Sequence, residues 1–95
     1  MNSIQHFVDG KIFKGTSKRT GKVFNPATGE QSSEVNLATA DDVNKVVSIA
    51  NKAFISWSKK TPLFRARVLF KFKELIEKNS DELTRIIVSE HGKVY

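Results

Sequence analysis

The spacing of apolar positions changes once along the chain, near residue 39. Before that point apolar residues come in short runs or alternate with polar ones; after it they recur every three or four residues. His6-Phe7-Val8 and Lys11-Ile12-Phe13 flank Asp9-Gly10, and an Asp-Gly pair between β-prone runs predicts a two-residue hairpin over Phe7 to Phe13, since both positions tolerate φ > 0. Val23-Phe24 then leads into Asn25-Pro26-Ala27-Thr28-Gly29, where Pro26 presets φ for a turn and Gly29 can close it. Residues 33 to 38 alternate polar and apolar, as a half-buried strand does.

From Thr39 the period is helical. Thr39 is placed to cap a helix near 40 to 58, Asp41 and Asp42 in its first turn favour the helix dipole, and Val43, Val46, Val47, Ala50, Ala53, Phe54 and Trp57 form one face. Thr61-Pro62 restarts the chain in cap-then-proline order, and Phe64, Val68, Leu69, Phe72, Leu75 and Ile76 mark a second helix near 62 to 78. Asn79 or Ser80 can cap a third near 80 to 91, with Leu83, Ile86 and Ile87 on one face and Gly92 at its end. The pattern is therefore a β-hairpin and short strands followed by three α-helices.

Ninety-five residues allow one small domain or part of one. With 39% apolar and 27% charged residues the chain lies outside the disordered and collagen-like classes. Its longest apolar runs fall far short of the roughly 20 residues of a membrane span, and Met1 to His6 carries neither signal-peptide nor transit-peptide character, so a cytoplasmic location is the default expectation. The absence of cysteine removes disulfides and any thiolate nucleophile within these residues. The net charge of +6 sits in two blocks: residues 1 to 29, with five Lys/Arg against Asp9, and residues 59 to 73, with six Lys/Arg and no acid. The second block (Lys59, Lys60, Arg65, Arg67, Lys71, Lys73) is the strongest pointer to a nucleic-acid binder. No helix-turn-helix, RRM or zinc signature accompanies it, however, and it reads as a solvated helix surface with Arg65 or Arg67 in reach of a neighbouring carboxylate. Lys14 to Lys22 reads as an exposed loop. An independent basic α+β binding module is the competing reading.

Five landmarks occur in order: Phe7-Val8-Asp9-Gly10-Lys11, Asn25-Pro26-Ala27-Thr28-Gly29-Glu30, Ala53-Phe54 with Trp57, Arg65-Ala66-Arg67-Val68-Leu69, and Glu90-His91-Gly92-Lys93. None is specific alone, but the ordered set resembles the N-terminal segment of the aldehyde dehydrogenase superfamily. The run from Arg65 to Leu75 and the Glu90 to Lys93 ending look most like its CoA-acylating methylmalonate-semialdehyde branch. The resemblance implies an α/β enzyme with a Rossmann-like NAD domain, of which residues 1–95 would be the incomplete N-terminal segment, a catalytic domain and an oligomerisation arm. It also implies assembly as a homodimer or homotetramer. A cysteine outside this chain would attack the aldehyde, NAD would take the hydride, and CoA would take the acyl group.

No catalytic, cofactor-binding or metal-binding residue is assigned within the chain. No glycine-rich turn follows a strand to cradle a pyrophosphate. His6 and His91 stand nearly a chain length apart with no second ligand at i+3 or i+4, and read as surface or helix-end histidines. Phe54 and Trp57 read as core-packing residues rather than as a platform for bases. Some members of the superfamily hold a monovalent cation on backbone oxygens matching Val23, Phe24 and Glu90; the plainer reading of Glu90 is a helix-end residue.

Overall fold

In the computed structural model, residues 2–95 are described, and they form eight elements. Strand β1 (Asn2–Ile4) is followed by β2 (His6–Val8), β3 (Lys11–Phe13), β4 (Thr20–Phe24) and β5 (Gln31–Asn36), then helices α1 (Ala40–Trp57), α2 (Pro62–Lys78) and α3 (Ser80–His91). The predicted helices agree with the observed ones to within a residue. The hairpin falls where predicted, with His6 opposite Phe13 and Val8 opposite Lys11. Its turn places Asp9 at φ 54° and Gly10 at φ 74°, the paired left-handed conformation that an Asp-Gly turn supplies.

A second, three-stranded sheet has the order β1-β5-β4. β4 and β5 are antiparallel, with Thr20 opposite Asn36, and a register shift between Val23 and Phe24 leads into the turn. That turn is held locally. The Asn25 side chain accepts from the Ala27 amide at 2.9 Å, the Gly29 amide donates to the Asn25 carbonyl at 2.8 Å, and Gly29 takes φ 76°. β1 adds to β5 in parallel, with Ile4 beside Val35. This strand was not predicted: three residues carry no period, and a parallel pairing across about thirty residues leaves no local trace. β4 also begins inside the stretch read as an exposed loop, and that stretch is stitched to the rest. The Leu37 amide donates to the Arg19 carbonyl at 3.0 Å, and the Arg19 guanidinium donates to the Ala38 carbonyl at 3.0 Å.

The helix ends follow the expected chemistry with one exception. Thr61 Oγ1 accepts from the Phe64 amide at 3.1 Å with Pro62 at the first helical position. Gly92 closes α3 at φ 69°, where a Cβ would meet Pro26 carbons at 3.3 Å, so the end of α3 is seated on the β4–β5 turn. Asn79 occupies the cap position of α3, but its side chain turns back to donate to the Leu75 carbonyl at 2.7 Å and so finishes α2 instead.

Apolar side chains find no interior. None of the described hydrophobic residues is buried; Phe7 is 72% exposed, Phe54 62% and Trp57 38%. The Trp57 and Phe64 rings meet edge-on at 6.4 Å across the α1–α2 corner, but the helix faces do not close on one another. The mutual cover of the helices is thus confined to the Trp57–Phe64 corner and to the α2–α3 seam, where Phe72, Leu75 and Ile76 lie beside Leu83 and Ile86. The chain exposes 8081 Å², where a compact monomer of 10.7 kDa exposes about 5,500 Å². Its radius of gyration is 17.2 Å against about 12 Å for a compact chain of this length. It is a slab of 48 × 36 × 16 Å.

The isolated 95-residue chain is accordingly expected to be marginally stable or to self-associate, as checked by denaturant unfolding with light scattering. A cooperative transition of about 5 kcal/mol or more in a strictly monomeric chain would contradict this.

Candidate functional site

The most tightly held polar group among the described residues is the Asp42 carboxylate, in the first turn of α1 and only 3% exposed. The local reason is a capping box. Thr39 Oγ1 accepts from the Asp42 amide, and Asp42 Oδ2 accepts from the Thr39 amide, both at 3.0 Å. The long-range reason is Thr16, whose amide donates to both carboxylate oxygens at 3.1 and 3.2 Å and whose hydroxyl donates to Oδ1 at 3.0 Å. Gly15 makes this approach feasible. It sits at φ 80°, and a Cβ there would lie 3.0 Å from Asp42 Oδ2.

These donors favour the ionised form and hold the Asp42 pKa down at about 2, with the Thr39 amide as the largest cause, then the Thr16 amide; burial pushes the other way. With the folded pKa below the ordinary value of 3.8, the contribution of Asp42 to stability is present above about pH 4 and lost as pH falls toward 2. The sequence signal, an acid near a helix start, marked Asp42 only as a dipole partner. Its tie to Thr16 across 26 residues had no signal in the spacing.

Beside this anchor the hairpin and α1 enclose a mostly apolar groove of about 360 Å³, lined by His6, Phe13, Ala38, Val43, Val46 and Val47 among others. The His6 ring lies 5.9 Å from that of Phe13, and its Nε2 is shielded without a hydrogen-bond partner. Lys45 caps the Phe13 ring at 4.9 Å. His6 and His91 are not brought together in any cluster: among the described residues no three His, Cys, Asp or Glu side chains are placed to hold a metal ion.

Val23, Phe24 and Glu90, by contrast, do converge. They line one cleft of about 340 Å³ with Asn2, Ser33 and Ser89, where α3 crosses the end of the β1-β5-β4 sheet. The Val23 carbonyl accepts from Ser32 Oγ at 3.3 Å. A set of backbone oxygens such as the resemblance implies would suit a hard cation rather than a soft one. The basic block divides in two. Lys71 pairs with Glu74 and Lys73 with Glu77, both at 3.4 Å, whereas neither Arg65 nor Arg67 reaches a carboxylate among the described ion pairs.

Asp42→Ala is expected to speed amide hydrogen exchange at Thr16 and Thr39 by about tenfold or more while leaving the amides of α3 unchanged, because it removes the acceptor of both groups. Uniform acceleration throughout the chain, or none, would show that the carboxylate is not a local anchor.

The model of the aldehyde dehydrogenase family matches residues 12–95. A malonate-semialdehyde dehydrogenase of Bacillus cereus is 42% identical over 97% of this chain and 19% of its own length. The structure of the methylmalonate-semialdehyde dehydrogenase of Oceanimonas doudoroffii covers 96% of this chain with 18% of its own, at a TM-score of 0.90 and 43% identity. An NAD complex of a protein assigned as the same enzyme in Sinorhizobium meliloti 1021 superposes at a TM-score of 0.92 and 42% identity, with the same coverage. The chain thus spans about a fifth of the length of its relatives, and the strand-then-helix order, the Asn25 to Gly29 turn and the three helices lie inside a shared fold. By the family match over residues 12–95 and this structural agreement, the chain belongs to the aldehyde dehydrogenase family.

Proposed function

We propose that these residues are the leading segment of the NAD-binding domain of an NAD-dependent, CoA-acylating dehydrogenase that oxidises malonate or methylmalonate semialdehyde to an acyl-CoA. The single observation that carries this reading is the likeness over nearly the whole chain, at about 42% identity, to enzymes named for those two substrates. The residues serve the enzyme as structure: their helices cover the nucleotide-binding sheet and keep it rigid, while the nucleophile, NAD and CoA are held by residues elsewhere in the polypeptide.

The chemistry of the helix ends supports that division of labour. A nucleotide phosphate seeks a helix N-terminus with free amides and no competing acid. The α1 terminus is filled by Thr39 and the Asp42 carboxylate, α2 starts with Thr61 and the amide-less Pro62, and α3 opens with Asp81 and Glu82. These helix starts do not suit the phosphates of NAD, which supports placing the cofactor on other residues.

The partners proposed are the rest of the same chain and further copies of it in a homo-oligomer, with no role for nucleic acid or membrane. The location proposed is cytoplasmic. No helix among the described residues is long and apolar enough to cross a bilayer.

The test is the whole gene product: CoA-dependent NADH formation with malonate or methylmalonate semialdehyde is expected, and none from the purified 95-residue chain with any aldehyde. A gene product that forms NADH from these aldehydes without CoA would end the acylating reading. Trp57→Ala is expected to lower the folding stability of the whole enzyme by about 3 to 5 kcal/mol and to spare turnover per folded molecule, as checked by denaturant unfolding alongside active-site titration.

A further inference from the structure

Counted from Arg65, the residues at i+3, i+4, i+7 and i+11 on α2 are Val68, Leu69, Phe72 and Ile76. These are members of the helix's apolar stripe, so a guanidinium stands in line with the side chains that await a covering surface. Arg65 is already only partly exposed, whereas its stripe neighbours Val68, Leu69 and Phe72 are exposed. Its Nε is cut off from solvent and has no hydrogen-bond partner. Among the described residues no carboxylate compensates it. The carboxylates near it in sequence, Glu74 and Glu77, pair with Lys71 and Lys73, and the charges at the α1–α2 corner, Lys59 and Lys60, have its own sign.

An arginine cannot escape burial by losing its proton, as a lysine or carboxyl can. Once the stripe is covered, the guanidinium must therefore meet an acceptor that is itself charged or strongly polar. Apolar contact alone would also leave α2 free to shift along its seat, whereas a desolvated fork of two N–H donors fixes both position and rotation.

Resting on the reading of this chain as part of a larger enzyme, we infer that the surface covering α2 comes from the remaining four-fifths or so of the same polypeptide and places a carboxylate opposite Arg65. The occupant of the face is thus an apolar surface with one embedded Asp or Glu, and the ion pair sets the register of α2 upon it.

The experiment uses the full-length enzyme as wild type, Arg65→Met and Arg65→Lys. Arg65→Met keeps most of the side-chain volume and strips the charge, so the partner carboxylate is left desolvated and unpaired; at pH 8 the apparent Tm is expected to fall by about 5 °C or more. Arg65→Lys should fall less. The orphaned carboxylate in Arg65→Met would have its pKa raised above the unfolded value, so its penalty is present at pH 8 and relieved as pH drops toward 5.5. The positions one turn from Arg65 are the cap residue Thr61 together with Pro62, Val68 and Leu69, which do not titrate, and the charged groups at the corner are Lys59 and Lys60.

A Tm deficit that shrinks on acidification supports the pair. A deficit unchanged by pH, or no deficit, overturns it. Should Arg65→Met fail to fold, the crystal structure of the wild-type enzyme decides: a carboxylate at salt-bridge distance from the guanidinium supports the inference, and a guanidinium facing solvent, main-chain carbonyls or another subunit overturns it. The CoA-dependent assay of the wild-type enzyme stands apart from these readouts, so loss of the substrate reading and loss of the ion pair are distinguishable.

Discussion

Three donors from two distant segments converge on the Asp42 carboxylate, and through it the strand half of the chain is joined to the helical half. Thr39 leads out of β5 into α1, and Thr16 lies between the hairpin and β4. One buried anion thus fixes the start of the longest helix relative to both sheets. A neutral side chain of the same size could accept some of these bonds but would not draw in three N–H and O–H donors together, since hydrogen bonds to an ionised acceptor are roughly twice as strong. Gly15 is the matching concession on the other side, a backbone in the left-handed region that brings the Thr16 amide into reach.

What holds the elements themselves is almost wholly local. The capping box at Thr39, the Thr61-Pro62 start, Gly92 in the left-handed region and the Asx turn at Asn25 each satisfy groups within a few residues. None of them buries apolar surface. The hairpin illustrates the consequence: Phe7 and Ile12 face one another in register and are 72% and 66% exposed, while His6 and Phe13 on the opposite face look onto the α1 groove. A two-stranded ribbon that is apolar on both faces is built to be covered on both. The stripes of α1 and α2 are likewise only partly met within these residues: Val43 and Val47 beside the hairpin, and Leu69 and Phe72 on α2, stay exposed.

Locality also sorts what the sequence disclosed from what it concealed. The hairpin, the Asn25 to Gly29 turn and the three helices were legible because Asp9-Gly10, Pro26, Thr39, Thr61 and Gly92 each act on their immediate neighbours. The parallel β1–β5 pairing was not, since Asn2 to Ile4 form a strand only because β5 offers an edge. Asp42 was half legible, as an acid in a first turn but not as the receiver of Thr16. Asn79 misled for a physical reason: its amide can serve either the helix behind it or the one ahead, and the Leu75 carbonyl won. The family resemblance, carried by an ordered set of short motifs, reached further than any one of these local rules, and the match over residues 12–95 bears it out. Of the candidate cleft, the sequence could name Val23, Phe24 and Glu90 only through that resemblance; carbonyl ligands leave side chains unconstrained, so composition carries no trace of them.

The basic block acquires a different meaning once its members are placed. Lys71 and Lys73 are satisfied by acids one turn on, with all four side chains well exposed, and pairs of that kind contribute only a few tenths of a kcal/mol each. They do not hold the helix together; they keep one side of it wet. A track for a polyanion needs cations free to replace counterions along a phosphate chain, and here two of the six are already neutralised while Arg65 lies in line with the apolar stripe. What looked in the sequence like a single patch of positive charge is therefore divided between a solvated outer face and a face awaiting cover. That division favours a helix packed on one side against a larger protein over a helix laid along a nucleic acid.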